Sequence, residues 1–110
     1  MIAWERVEEL RRDIGEADFA EVVDLFLEEA GDLVEGLAAG GDATRTAEGL
    51  HALKGSTANL GFAHMSRLCH QREREARAGA AVDPAEIAGA FRASREQFLA
   101  GLQTRGAGAA

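Results

Sequence analysis

One cysteine, one proline and no tyrosine occur in 110 residues, and each scarcity excludes something. A lone cysteine, Cys69, forms no internal disulfide, which fits a reducing compartment and makes cytoplasmic localisation the expectation. With proline only at Pro84 and no β-branched runs, helix throughout is the simplest reading. No run reaches the ~18 apolar residues of a membrane span. The opening Met-Ile-Ala-Trp-Glu-Arg lacks the form of a signal peptide. Cys-x-x-Cys pairs, zinc-finger spacing, a Walker-type glycine loop and Gly-x-Gly-x-x-Gly are all missing, so no ATP-dependent kinase activity of its own is expected. Acidic residues outnumber basic ones by 19 to 12, and a net charge of −7 argues against nucleic acid as a partner. Phosphate backbones demand a basic face.

What is present suits one helical domain spanning 1–110. Hydrophobic residues make up 46% of the chain while aromatics supply 5%, so Leu, Ala and Val must fill the core. Many of the 13 glycines cluster at 36–41, 79 and 101–108, where helices should end.

Residues 3–13 read as a short helix with Val7, Leu10 and Ile14 toward the core, closed by Gly15, and Trp4 reads as a packing lid. Glu16 or Asp18 starts a second helix. Its apolar positions, Phe19, Val22, Val23, Phe26, Ala30, Leu33 and Leu37, recur with the spacing of a bundle seam. Gly40-Gly41 ends it, and Asp42 caps a third helix that finishes near Gly61. A fourth helix, about 63–78, turns Met65, Leu68, Cys69 and Ala76 inward. Arg72 falls on the same stripe, and a side chain snorkelling from the bundle's end accounts for it. Asp83-Pro84 reads as N-cap and first helical residue of a last helix, roughly 84–103, packing Ile87, Phe91, Ser94, Phe98 and Leu102. The small residues Gly106 to Ala110 are expected to fray. The fold class is all-α.

The third helix holds the unusual stretch. At about 100° per residue, with His51 at zero, Leu50, Leu53, Thr57 and Leu60 fall between roughly 180° and 260°, one stripe facing a core. His51 points the opposite way. Its neighbours on that outer face are Thr44, Ala47, Gly55 and Ala58, nearly all small, with Lys54 one turn along and Glu48 one turn back. Glycine inside a helix costs about 1 kcal/mol against alanine, and both Gly49 and Gly55 sit here. Something therefore needs to come close. Gly55, four residues after His51, removes the side chain that would crowd the ring. A solvated surface histidine is the bland alternative, and the small surround with an ammonium beside it weighs against that.

The run His51-Ala-Leu-Lys54-Gly55-Ser56-Thr57-Ala-Asn-Leu60-Gly61, followed by Cys69 and Glu73, resembles the core signature of histidine-containing phosphotransfer (HPt) domains. That signature is H-x-L-K-G-S-(S/T)-x-x-L-G, then a cysteine and a Leu-Glu pair on the next helix. Arg72 stands where the family usually has leucine. The resemblance implies an antiparallel up-down four-helix bundle, here with a short additional N-terminal helix. It implies that the exposed histidine accepts a phosphoryl group from one receiver-domain aspartate and passes it to another. Lys54 is then associated with phosphate stabilisation and Gly55 with access. The implied partners are response-regulator receiver domains and a (hybrid) sensor histidine kinase, the implied state is monomer, and magnesium is expected on the receiver, with no cofactor in this chain. A start at Met and a single domain make a free-standing shuttle the expectation.

The chemistry agrees with that implication. Neutral imidazole is a nucleophile, and an exposed one buries neither its own charge nor the phosphoryl group it would carry. Ser56 lies about 140° from His51 on the wheel, which makes it structural. Ala47 and Ala58 are candidate parts of the partner-binding surface. Arg67, Arg74 and Arg77 form either a solvated face with ion pairs to Glu73 and Glu75, or a group in which Arg77 or Glu73 tunes the imidazole or meets the partner. His64 and His70 read as ordinary surface residues, and Cys69 as a small buried hydrophobe. Two alternatives compete. Glu48-x-x-His51 has the form used by di-iron bundles, but a second such motif is missing and His51 points outward. The other is a helical adaptor that binds a signalling partner without being phosphorylated.

Overall fold

A computed structural model describes residues 2–109, with side chains over 2–105. Five helices follow in order: α1 (Trp4–Ile14), α2 (Glu16–Ala38), α3 (Ala43–Asn59), α4 (Ala63–Arg77) and α5 (Pro84–Ala109). No strand occurs among the described residues. The connections after α2, α3 and α4 are short, so successive helices run antiparallel. α2 packs on α3, α3 on α4, α4 on α5 and α5 back on α2, closing a four-helix ring with α1 lying against α2.

Local signals set the boundaries. Gly15, at φ 97°, separates α1 from α2, a left-handed conformation that a side chain would strain. The Asp42 carboxylate caps α3, accepting from the Arg45 backbone N–H at 2.8 Å. Gly61 has φ 78°, and a Cβ there would meet the Ala3 carbonyl oxygen at 2.8 Å. The Ala3 N–H donates to the Gly61 carbonyl, which ties the start of α1 to the α3–α4 turn.

The expected stripe of α3 is the heart of the core: Leu50, Leu53, Thr57 and Leu60 are wholly buried. Thr57 satisfies its hydroxyl by donating to the Leu53 carbonyl at 2.8 Å. Met65, Cys69, Ile87 and Phe98 join them as expected. So do residues outside the expected set. Phe62 lies in the α3–α4 turn, with its ring edge-on to Phe98 at 5.2 Å, and Ile2, Leu27 and Val34 are buried as well. On α2, Val22, Phe26 and Leu33 are half-buried rather than seated in the seam. Trp4 is a lid as expected, stacked on Phe98 at 6.0 Å. It lies so tightly on α5 that a Cβ at Gly101 would run into its ring.

Two expectations need correction. α5 runs beyond the expected end near 103, because Thr104 bonds back to the Ala100 carbonyl and Arg105 stacks over Trp4 at 4.2 Å. Of the residues expected to fray, 106–109 form the last helical residues of α5, and Ala110 lies outside the described residues. Arg72 does not reach for solvent from the bundle's end. Its guanidinium bridges α4 to the start of α5, donating to Glu86 at 2.7 and 3.0 Å and to Glu75 at 3.0 and 3.1 Å. The Arg72 guanidinium holds the Glu86 carboxyl below its usual range.

Candidate functional site

α3 presents one edge to α2 and the other to α4, and the polar chemistry gathers on the α4 edge. His51 stands on the outer face with 64% of its side chain exposed. Its Nδ1 lies 3.1 Å from Oε2 of Glu73, a carboxylate on α4 that is 8% exposed. The same carboxylate accepts from Lys54 Nζ at Oε1, 2.9 Å away, and from Arg77 Nε and Nη2 at Oε2, at 3.1 and 2.9 Å. Four donor atoms on three side chains thus converge on one buried acid.

The Lys54 hydrogen bond pulls the Glu73 carboxyl down to about 2, with Arg77 and His51 adding to it against the opposing effect of burial. An ionised carboxylate only accepts, so neutral His51 must carry its proton on Nδ1. Nε2 then holds the lone pair on an exposed ring. Under the cluster, burial pushes the Cys69 thiol up to about 12, with Glu73 reinforcing and Lys54 opposing. Cys69 is therefore an inert core residue, as expected.

The two helix-interior glycines part company. A Cβ on Gly49 would meet Leu37 Cδ2 at 3.1 Å, so this glycine admits α2. A Cβ on Gly55 would meet nothing within 4 Å. No packing within the described residues needs Gly55, and the space beside His51 is left open. Ala52 and Ala58 are exposed around it. Ser56 is buried and donates to Glu29 Oε1 on α2 at 3.1 Å, in keeping with a structural place.

Ala47 requires correction. It is 1% exposed and faces α4, not the outer surface, because α4 packs close over that side of α3. It forms part of a groove of about 280 Å³ with Thr44, Ala76 and Arg77, so a partner would meet the groove's rim first. Arg77 makes an i,i+4 ion pair with Glu73, and through that carboxylate it joins the His51 cluster. His70 is exposed, in keeping with a surface residue, and its Nδ1 lies 3.5 Å from Lys54 Nζ. His70, Glu73 and Arg77 recur at helical spacing along one face of α4.

Glu48 is exposed, and among the described residues no three His, Cys, Asp or Glu side chains are grouped to hold a metal ion. No described helix is long and apolar enough to cross a membrane. A family model described as Hpt domain matches residues 21–103, which spans α3, α4 and most of α2 and α5. No curated protein and no solved structure matches the chain.

Proposed function

The chain belongs to the Hpt domain family, whose members serve phosphotransfer in two-component signalling, and from that premise we propose that it is a phosphorelay intermediate with His51 as phospho-acceptor. The observation that supports this reading is an exposed imidazole whose Nδ1–H is held by an ionised, buried carboxylate. His51 Nε2 attacks the phosphorus of a receiver's aspartyl phosphate, the P–O bond breaks, and the aspartate carboxylate leaves. The ring gains positive charge as the N–P bond forms, and Glu73, accepting from Nδ1, stabilises it in place. Onward transfer to a second receiver aspartate reverses these steps.

Transfer of this kind depends on positioning and on charge placed beside the phosphoryl oxygens. Lys54 supplies an ammonium there, and Arg77 a guanidinium on the far side of Glu73. Gly55 and Ala58 leave room for the incoming receiver, with exposed Leu25 and half-buried Leu33 of α2 extending the docking surface. Such an interface is modest and transient. The partners are receiver domains, carrying their own magnesium, and a (hybrid) sensor histidine kinase. The chain acts as a cytoplasmic monomer and phosphate carrier without kinase activity of its own.

The test is transfer of labelled phosphate from a phosphorylated receiver domain, with His51→Gln as control. The expected product is acid-labile, base-stable phosphate on the native chain and none on the folded variant. Label on His51→Gln would overturn the assignment of the residue. Binding to receivers without label on the native chain would instead favour the adaptor. Ring ¹⁵N spectra give a second check: neutral His51 should be the Nδ1–H tautomer, and should lose that preference in Glu73→Ala.

A further inference from the structure

The Glu73 carboxylate is loaded unevenly. Oε1 accepts one bond, from Lys54 Nζ at 2.9 Å. Oε2 accepts from Arg77 Nε at 3.1 Å and Nη2 at 2.9 Å, and it is also the atom that His51 Nδ1 reaches, at 3.1 Å. A carboxylate oxygen offers about two lone-pair directions, so three N–H groups share two places on Oε2. The contest is unequal, because a guanidinium brings a full charge to its bonds and a neutral imidazole does not. Helix stability accounts for little of this arrangement. The Arg77 side chain is 54% exposed, and an exposed pair four residues apart adds little to a helix. Glu73 is its one hydrogen-bond partner among the described residues.

We propose, resting on the phosphotransfer reading, that Arg77 is a positioning residue that acts through Glu73: by occupying Oε2 it weakens the bond to the His51 Nδ1–H, which makes the phosphohistidine less stable and readier to pass its phosphoryl group on. As the N–P bond forms at Nε2, the ring gains positive charge and its Nδ1–H becomes a stronger donor. What Oε2 can return is limited by the two bonds it already accepts from Arg77. Lys54 holds the other oxygen and leaves Oε2 alone. The two cations on one buried carboxylate therefore act in opposite directions: the ammonium supports phosphate on His51, and the guanidinium opposes it. Both bonding nitrogens of Arg77 are turned onto Glu73, so its effect reaches His51 through that carboxylate. Removing Arg77 leaves Glu73 with Lys54 and His51 as donors, so no unpaired charge is buried.

The test uses potassium phosphoramidate as a small-molecule donor, so no partner protein touches Arg77. His51 Nε2 attacks phosphorus, the donor's P–N bond breaks, its nitrogen leaves as ammonia, and a new N–P bond forms. Initial rates and the lifetime of the product are compared at one pH for the full native chain, Arg77→Ala and Lys54→Ala. Arg77→Ala is expected to take phosphate about twofold faster and to keep it about twofold longer against hydrolysis, together the scale of one ordinary hydrogen bond. Lys54→Ala is expected to be slower than the native chain. Ring ¹⁵N spectra give a readout that a merely structural role would not move: the Nδ1–H tautomer of neutral His51 should be more fully populated in Arg77→Ala. Arg77→Gln, which keeps one neutral donor, should lie between, and it carries the test should Arg77→Ala fail to fold by circular dichroism. A fall in rate or lifetime on removing Arg77, or no change in either, overturns the competition at Oε2. Failure of the native chain to take phosphate on His51 is a separate outcome, which overturns the phosphotransfer reading and the role of Arg77 with it.

Discussion

α4 carries a charge cluster on each flank, and the two are near mirror images. Toward α3, a buried carboxylate, Glu73, sits among the donors of His51, Lys54 and Arg77. Toward α5, a half-buried guanidinium, Arg72, sits between Glu75 and Glu86. The central groups differ in what surrounds them. Glu73 is 8% exposed, whereas the acids around Arg72 are 41% and 40% exposed. Exposed ion pairs contribute little, because water can replace either partner. A carboxylate withdrawn from water depends on its donors being present. The α5 flank is a staple between helices, while the α3 flank is a locked arrangement that fixes an exposed imidazole. Composition does not separate a site from a staple here; what does is the sign of the buried charge and the nucleophile beside it.

The largest expected effect comes from breaking the α3 flank at its centre. In Glu73→Gln, Lys54 and Arg77 lose their anchor and His51 loses the group that fixes its tautomer. Phosphoryl acceptance should fall roughly tenfold to a hundredfold, the scale of a lost charge-assisted hydrogen bond. The same variant changes the response to acid. The Glu73 carboxyl is lowered from 4.5 to about 2, so its contribution to stability is complete above about pH 4.5. It is lost as pH falls toward about 2. Thermal melts over that window should show the native chain losing stability more steeply than Glu73→Gln. Parallel melts would remove the distinction between the two flanks.

Much of this arrangement is legible in the sequence, for physical reasons. The α3 stripe was visible because helical periodicity places Leu50, Leu53, Thr57 and Leu60 on one face whatever packs there. His51 opposite them followed from the same geometry. Ala47 was misplaced because a wheel states an angle without saying how far a neighbouring helix wraps around it, and α4 covers that side. Phe62 lies in a turn, where periodicity has nothing to say. Arg72 was legible as an anomaly on an apolar stripe, but its partner Glu86 lies across a loop and on another helix. The contact between Lys54 and His70 was hidden for the same reason: both residues were visible, while the register of α3 against α4 was not.

The comparison sharpens on α3, where two glycines separate packing from access. Gly55→Ala adds a Cβ that meets nothing, and alanine favours helix by about 1 kcal/mol. The variant should melt a few degrees higher than the native chain. Its acceptance of phosphate from a receiver should nevertheless slow, because the methyl group fills the opening beside His51, while the smaller phosphoramidate is less affected. Gly49→Ala should show the opposite pattern, since its Cβ presses on Leu37 at 3.1 Å. The gain in helix propensity is then offset by displacement of α2, and phosphate acceptance stays at the native level. A Gly55→Ala protein that is stabilised and fully active with receivers would leave the glycine without a role.

The smallest effect is expected on the α5 flank, and it is informative because it is small. Arg72→Leu removes both ion pairs and puts an apolar side chain on a stripe that already runs through Met65, Leu68, Cys69 and Ala76. Glu75 and Glu86, each partly in water, are left to solvent without burying an unpaired charge. The melting temperature should move by no more than a few degrees, and phosphate acceptance should stay at the native level. Any difference that remains should shrink as salt rises toward about 1 M, where charges near the surface are screened within about 3 Å. The deficit of Glu73→Gln should persist at that salt, because its carboxylate and donors are held in contact and largely out of water. If both variants respond to salt alike, the two clusters are one kind of interaction, and burial of Glu73 is not what fixes the imidazole.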